Sequence, residues 1–179
     1  MRLGVVTAAN GSHARASRPG SPRRLESAGY PFAVNYDMYM GEALAEAKAA
    51  IARGERPHAA VAVVDEAMVA RGHDRVRETG DPTAHAVVMA LREAARRVGK
   101  DRLRDVTMFC TMEPCPMCVG ALLAADVEAL VYSSPNRRDG AAGSVLQLAE
   151  HPGLGRRVKV VSGIRRDEVE ELYAAAVAK

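Results

Sequence analysis

One histidine and a pair of cysteines constrain this chain more than any other feature of its sequence. His85 precedes Cys115 by 30 residues, and Cys118 completes a Cys-x-x-Cys pair. Imidazole nitrogen and thiolate sulfur are ligands that zinc prefers, and three protein ligands leave the fourth tetrahedral position open, as catalytic zinc sites do. The fold must therefore bring two distant segments to one Zn²⁺ ion.

Each part of this set has an ordinary alternative. A Cys-x-x-Cys pair alone also serves as a redox couple, and a single histidine at a helix start is usually a surface residue. The histidine, the prolines that flank Cys115 and the spacing favour zinc when they are taken together. The remaining cysteine, Cys110, is expected to be a small buried strand residue.

Composition favours one domain of ordinary size. The 179 residues are 48% apolar, enough to bury a sizeable core. No apolar run approaches the roughly 18 residues of a membrane span, and the first residues lack the pattern of a signal peptide. Few cysteines, two of them in a metal-binding pair, suit a reducing compartment. We therefore expect a cytoplasmic protein with no membrane partner.

The hydrophobic pattern predicts an α/β protein, an α/β/α sandwich with a mixed five-stranded sheet flanked by helices. Residues 1–35 are rich in Ser, Arg, Gly and Pro and are predicted to be a flexible extension, which leaves 36–179 as the folded domain. The predicted helices span 37–53 (capped by Asp37), 84–98 (capped by Thr83), 114–124, 144–150 and 167–178. The predicted strands span 59–64, 68–72, 106–111, 127–132 and 158–161.

Both groups of candidate ligands are predicted at helix N-termini. Unpaired backbone N–H groups and the helix dipole favour negative charge there. That environment lowers the pKa of the Cys115 and Cys118 thiols and helps a metal to displace their protons.

Several segments resemble the bacterial tRNA adenosine deaminases of the TadA type. They are Gly72–Val76, Asp81–Ala86, Met89–Arg92, Glu113–Cys118, Gly140–Ser144 and His151–Leu154. The resemblance covers the chain from about Asp37 onward without large gaps. It implies a cytidine-deaminase-like fold, one Zn²⁺ held by His85, Cys115 and Cys118, and a homodimer formed around the helices that carry these ligands. It also implies hydrolysis of an exocyclic amine on a base, with release of ammonia.

The chain departs from this family at the position of the proton carrier. Zinc-dependent base deaminases carry the signature H-x-E followed by P-C-x-x-C, in which the glutamate is the general acid and base. Val87 occupies the glutamate position. A positioned acid–base group contributes typically about 10²–10⁴ in rate, and a valine carries no proton. The activity is therefore expected to be reduced, lost or rerouted.

Other positions that the resemblance assigns to base binding also differ. Asp74 stands where the family usually has an asparagine, and the family's Pro-Val-Gly-Ala-Val becomes Pro-His-Ala-Ala-Val, with His58 and Ala59 as the changes. Pro114 completes the expected base-binding group. Glu113 is expected to be structural, because family members carry it beside the normal glutamate.

Three functions remain compatible with these residues. The chain is a deaminase whose glutamate has been replaced, or a natural non-catalytic zinc-bound scaffold that partners an active deaminase. In this second case, the chain resembles the subunit of eukaryotic tRNA deaminases that carries a valine at the same position. In the third case it is an active enzyme in which Asp74 or a substrate group supplies the proton transfers. The grouped changes at Ala59, Asp74 and Val87 favour a natural, diverged protein over an introduced knock-out.

The charge distribution argues against tRNA as a tight partner. The net charge is +3, but residues 1–30 hold five Arg against one Glu, so the remaining residues carry 20 basic and 21 acidic side chains, a net of −1. The last predicted helix carries acids that would repel phosphate, at Asp167, Glu168, Glu170 and Glu171. A small base or nucleoside is therefore expected as the substrate rather than tRNA.

Overall fold

The computed structural model describes residues 35–177, so the predicted extension lies outside the described residues except for Asn35. The elements are α1 (Tyr36–Ala52), β1 (Ala59–Val64), β2 (Ala67–His73), α2 (Val76–Thr79), α3 (Ala86–Val98), β3 (Thr107–Met112), α4 (Pro116–Ala124), β4 (Ala129–Ser134), β5 (Lys159–Ser162) and α5 (Arg166–Val177), with a 3-10 helix at Lys100–Asp105. Across the described range, no helix is long and apolar enough to cross a bilayer.

The strands form one mixed sheet in the order β2-β1-β3-β4-β5. β1 pairs antiparallel with β2 and β3, whereas β3 pairs parallel with β4 and β4 with β5. The amino end of β1 therefore lies at the same edge as the carboxyl ends of β2, β3 and β4. Residues that flank these strand ends meet there, which is the edge where open α/β sheets bind ligands.

Helices cover both faces of this sheet. Side chains alternate along β3, so that Met108 and Cys110 pack with α3 and α4, whereas Phe109 packs with α1 on the other face. The rings of Phe109 and Tyr39 lie 5.2 Å apart on that second face, where α5 contacts α1 and β4. The predicted α/β/α sandwich with a mixed five-stranded sheet is confirmed.

The end of β2 lies unusually close to α3. A Cβ atom at Gly72 would lie 2.6 Å from the amide nitrogen of Ala90 and 2.9 Å from the carbonyl oxygen of Ala86. A side chain at this position would force the two backbones apart, since neither contacted atom belongs to a flexible side chain. The glycine thus lets α3 begin directly beside the residues that follow β2.

Most predicted boundaries agree with the structure within two residues, but the caps of two helices are wrong. Asn35 rather than Asp37 caps α1, through a hydrogen bond that its side chain accepts in the first turn. α3 begins at Ala86 because Thr83 instead bonds Asp81, to which its amide and its hydroxyl both donate at 2.7 Å. α2 and the 3-10 helix were not predicted.

The helix predicted over 144–150 is also wrong. This segment forms turns and a single bridge between Ala142 and Gln147. The buried carboxylate of Glu113 accepts hydrogen bonds from the amides of Asn136 at 3.0 Å, Ala142 at 2.9 Å and Ser144 at 3.0 Å. The chain wraps around this carboxylate instead of starting a helix, and Glu113 is structural, as predicted.

We expect Glu113→Gln to destabilise the fold by about 1–3 kcal/mol, because an amide NH₂ group would face a backbone donor that the carboxylate now satisfies. Chemical denaturation followed by circular dichroism measures the loss. Glu150→Gln, at an exposed position, is the matched control and should change stability little. Equal stabilities of the two variants would contradict the structural role of Glu113.

Candidate metal centre and substrate cavity

The three candidate ligands meet where α3 and α4 begin. His85 directly precedes α3, Cys115 directly precedes α4, and Cys118 lies in the first turn of α4. The Nδ1 atom of His85 lies 3.6 Å from the Sγ atom of Cys115 and 3.7 Å from that of Cys118. Ordinary zinc bond lengths in a tetrahedron give a nitrogen–sulfur separation of roughly 3.6 Å, so the donor set fits Zn²⁺.

The pKa values of the two neighbouring thiols are shifted in opposite directions. The pKa of Cys115 is lowered to about 5, chiefly by the hydrogen bond from the Cys118 side chain, while burial opposes this shift and His85 assists it. The pKa of Cys118 is raised, contrary to the prediction from its place at a helix N-terminus, because it donates to Cys115 and is buried. A cation held by both sulfurs would displace the remaining thiol proton and leave two thiolates. Cys110 is a buried strand residue, as predicted, and burial raises the pKa of its thiol.

A cavity of about 90 Å³ opens beside the ligands at the shared edge of the sheet. All eight residues that the sequence assigns to the site line this cavity: His58, Ala59, Asp74, His85, Val87, Pro114, Cys115 and Cys118. They come from the start of β1, the ends of β2 and β3, and the first turns of α3 and α4. The fold therefore brings the whole set together, and their roles in binding and chemistry stay predictions.

Val87 presents an apolar surface to this cavity. It lies in the first turn of α3, two residues after His85, and is 5% exposed. Its methyl groups belong to the apolar cluster that fills the space between the sheet and α3. The position that would hold a proton carrier is therefore part of the hydrophobic core.

Asp74 lies against the N-terminus of α3. Its Oδ1 atom accepts a hydrogen bond from the amide of Ala86 at 2.8 Å and supplies the side-chain cap that His85 does not. Its buried Oδ2 atom makes no hydrogen bond in the described chain and lies at an ion-pair distance of 3.3 Å from the Nδ1 atom of His58. Burial raises the pKa of Asp74, but the nearby His58 imidazole and the Ala86 amide outweigh it, so the pKa lies below its ordinary value.

A residue of α5 that sequence reasoning missed supports the same wall. The ring of Tyr173 lies 5.5 Å from that of His58, tilted by 37°. Its hydroxyl lies 3.1 Å from the Oγ1 atom of Thr111, which accepts the amide of Ala59 at 3.0 Å. No local pattern could have indicated these contacts, since Thr111 and Tyr173 are 62 positions apart.

Two polar residues that line the cavity were also missed. Arg56 precedes β1, and Asn136 follows β4 at the same edge. The side-chain oxygen of Asn136 accepts the amides of Arg138 and Asp139, so it shapes its own loop. The position of Asn136 just after a buried strand is the sequence signal from which it could have been predicted.

Comparison with known proteins places this site in a family. Residues 34–134 match the model of the cytidine and deoxycytidylate deaminase zinc-binding region. The tRNA-specific adenosine deaminase of Bacillus subtilis is 36% identical over 140 residues, which cover 78% of this chain and 86% of that protein. The chloroplastic tRNA(adenine(34)) deaminase of Arabidopsis thaliana is 46% identical over 112 residues, 63% of this chain, which spans only 9% of that protein's length.

A solved structure agrees with these relatives. A chain from work on A-to-I editing by tRNA:A34 deaminases at the wobble position of transfer RNA superposes with a TM-score of 0.72 and 35% identity, covering 75% of this chain and 98% of that chain. Relatives named for tRNA lean against the expectation that a small base is preferred over tRNA. On the family match and on this likeness in sequence and fold, the chain belongs to the cytidine and deoxycytidylate deaminase family, in the branch that resembles the tRNA-specific adenosine deaminases.

Proposed function

We propose that the chain is a zinc-dependent deaminase that hydrolyses the exocyclic amine of an adenine in tRNA, and that Val87 slows this reaction. The observation that carries the proposal is the tetrahedral spacing of His85, Cys115 and Cys118 on the wall of a cavity that the predicted base-binding residues also line. Zinc held by such ligands lowers the pKa of a bound water to about 7. The expected cytoplasmic location stays a prediction.

The residues that line the cavity contribute either apolar surface or polar groups to substrate binding. Ala59 and Pro114 are buried apolar parts of the wall and would exclude water from the face of a bound base. His58 offers a polar group to the base, and Asp74, whose oxygens face the Ala86 amide and His58, lies behind it. Val87 contributes shape but no proton transfer.

The negative charge at the start of α5 is smaller than a count of its acids alone suggests. Arg165 pairs with Glu168 at 2.6 Å, and Arg166 pairs with Glu170 at 2.7 Å. Residues 165–171 therefore hold two arginines against four acids, a net of −2. The two arginines directly before the acids reduce the charge of this segment from −4 to −2, so the repulsion of phosphate is weaker but still present. The tRNA-specific relatives, rather than this charge, favour tRNA as the substrate.

The surface of α4 supports the predicted homodimer. This helix is apolar along its whole length, and Val119 and Leu122 already fill the core of the chain. Met117 and Ala124 remain exposed on its outer side, next to Gly120. A helix that is apolar all round is normally buried on all sides, and small residues allow a second helix to approach. A two-fold contact between copies of α4 would cover this surface.

We expect one zinc ion per chain, measured by elemental analysis of protein purified with added Zn²⁺. His85→Ala, Cys115→Ser and Cys118→Ser should each remove most of the metal, because two remaining ligands bind zinc poorly. Cys110→Ala is the matched control and should keep the metal. A folded parent protein that takes up no zinc would show that the three residues do not form a metal site.

We expect Val87→Glu to raise ammonia release from a tRNA anticodon stem-loop by roughly 10- to 100-fold, toward the lower end of what a positioned acid–base group contributes. The first turn of a helix favours an acid electrostatically, although Asp74 and Ala59 still differ from the family. Free adenosine, cytidine and guanine are assayed in parallel to test the preference for tRNA.

The control for this substitution is Val87→Gln. Glutamine matches the size of glutamate, but its amide neither accepts nor releases a proton near neutral pH. Equal rates for the Glu and Gln variants would contradict the role assigned to position 87. A parent rate near 1 s⁻¹, an ordinary enzymatic turnover of about that order, would show that Val87 does not slow the reaction.

We expect Gly120→Arg to convert a dimer into a monomer, measured by light scattering at micromolar concentration. Within the described chain a Cβ atom at Gly120 would meet nothing within 4 Å, so the change should affect a partner rather than the fold. Ala45→Arg, at an exposed position of α1 on the other face of the sheet, is the control and should stay dimeric. A parent protein that is already a monomer of 19.1 kDa would refute the dimer.

A further inference from the structure

His58 and Asp74 are neighbours because of the register of the β1–β2 hairpin. Ala59 pairs with His73, so the residues just beyond this pair also lie side by side, and the amide of Asp74 donates to the carbonyl of His58 at 3.1 Å. A register shift between Ala62 and Val63 sets this alignment. In the unshifted register His58 would face His73 instead.

The pair places a buried carboxylate beside one nitrogen of an imidazole, close enough for a small rotation of either side chain to complete a hydrogen bond. Asp74 is 1% exposed and its Oδ2 atom faces the Nδ1 atom of His58, whose side chain is 31% exposed on the cavity wall. A carboxylate at Nδ1 holds the proton on that nitrogen and leaves the lone pair of Nε2 free. His58 therefore offers the cavity a group that can take up and release a proton.

Asp74 is itself poorly suited to carry protons. One of its oxygens is bonded to the Ala86 amide and the other faces His58, and its pKa lies below the ordinary value because His58 and the amide stabilise the charge against burial. Asp74 is thus a positioning residue rather than the substitute base.

The other ionisable groups of the cavity are occupied or fixed in charge. Glu113 accepts three backbone amides, Asp139 lies 3.4 Å from Arg138, and the guanidinium of Arg56 is a hydrogen-bond donor only. Tyr173, which packs against the His58 ring, shares its hydroxyl with Thr111, and burial raises the pKa of that hydroxyl. Cys110 is buried in β3, and the remaining ionisable groups that line the cavity are the three candidate metal ligands.

We propose that His58, oriented by Asp74, is the catalytic proton carrier of this chain in place of the absent glutamate, an inference that rests on the proposed deaminase function. Water adds to the carbon that bears the exocyclic amine, and the Nε2 atom of His58 removes a proton from the attacking water. It returns that proton to the amine nitrogen as the carbon–nitrogen bond breaks. The hydroxyl proton of the adduct moves to the adjacent ring nitrogen, so that base and water give a carbonyl product and ammonia, and the imidazole ends unchanged.

The test is a double-mutant cycle between positions 58 and 87 in the zinc-loaded full chain, with the anticodon stem-loop as substrate. His58→Gln in the parent should lower kcat at least 100-fold and change KM less than threefold, since a proton carrier acts in the transition state. In the Val87→Glu background the same substitution should cost less than threefold, because the new carboxylate carries the proton. His151→Gln, an exposed histidine, should have no effect in either background.

A second measurement tests the contact between His58 and Asp74 without measuring catalytic turnover. Nitrogen-15 NMR of the imidazole should show a single tautomer for His58, protonated at Nδ1, and a mixture of tautomers in Asp74→Asn. That substitution should also lower kcat about tenfold in the parent and leave the Val87→Glu background unimpaired. A single tautomer retained in Asp74→Asn would refute the positioning role.

The outcomes separate this inference from the function on which it rests. If His58→Gln costs the same in both backgrounds, His58 only binds substrate and the inference is wrong. If the parent is inactive while Val87→Glu is active, the deaminase function stands and the His58 inference falls. If neither form releases ammonia from the stem-loop or from free adenosine, the proposed function fails together with the inference.

Discussion

The site depends on the meeting of two helix N-termini at one edge of the sheet. α3 carries His85 at its start and α4 carries both thiols, so a metal can be held only where these two ends converge. The strand directions create that place, because the carboxyl ends of β2 and β3 lie at the same edge. The close approach at Gly72 then brings α3 against the end of β2. A shift of either helix would separate the nitrogen from the sulfurs.

Buried carboxylates hold this arrangement from both sides. Glu113 organises the loop after β4 through three backbone amides, and Asp74 caps α3 through one. A buried carboxylate is costly unless such donors compensate its lost hydration. The two residues differ in how many of their oxygens accept backbone amides. Both oxygens of Glu113 accept amides, whereas Asp74 has one oxygen that faces His58. The saturated carboxylate supports the fold, and the other links the fold to the cavity.

Val87 shows how a core position and a functional position coincide. The side chain at the start of α3 faces both the apolar cluster and the cavity, so a valine there satisfies packing and brings no titratable group to the cavity. The spacing of His85, Cys115 and Cys118, the cavity and the family fold are all present around this valine.

The sequence by itself predicted the five strands and the layers, because hydrophobic periodicity is a local signal. It also indicated the candidate ligands and the valine two positions after His85, since both need only residue types at a given spacing. The segment 144–150 was mispredicted because the carboxylate that shapes it lies some thirty residues earlier in the chain. Only the tertiary structure paired His58 with Asp74 rather than with His73, because a single register shift in the β1–β2 hairpin decides which residue faces which.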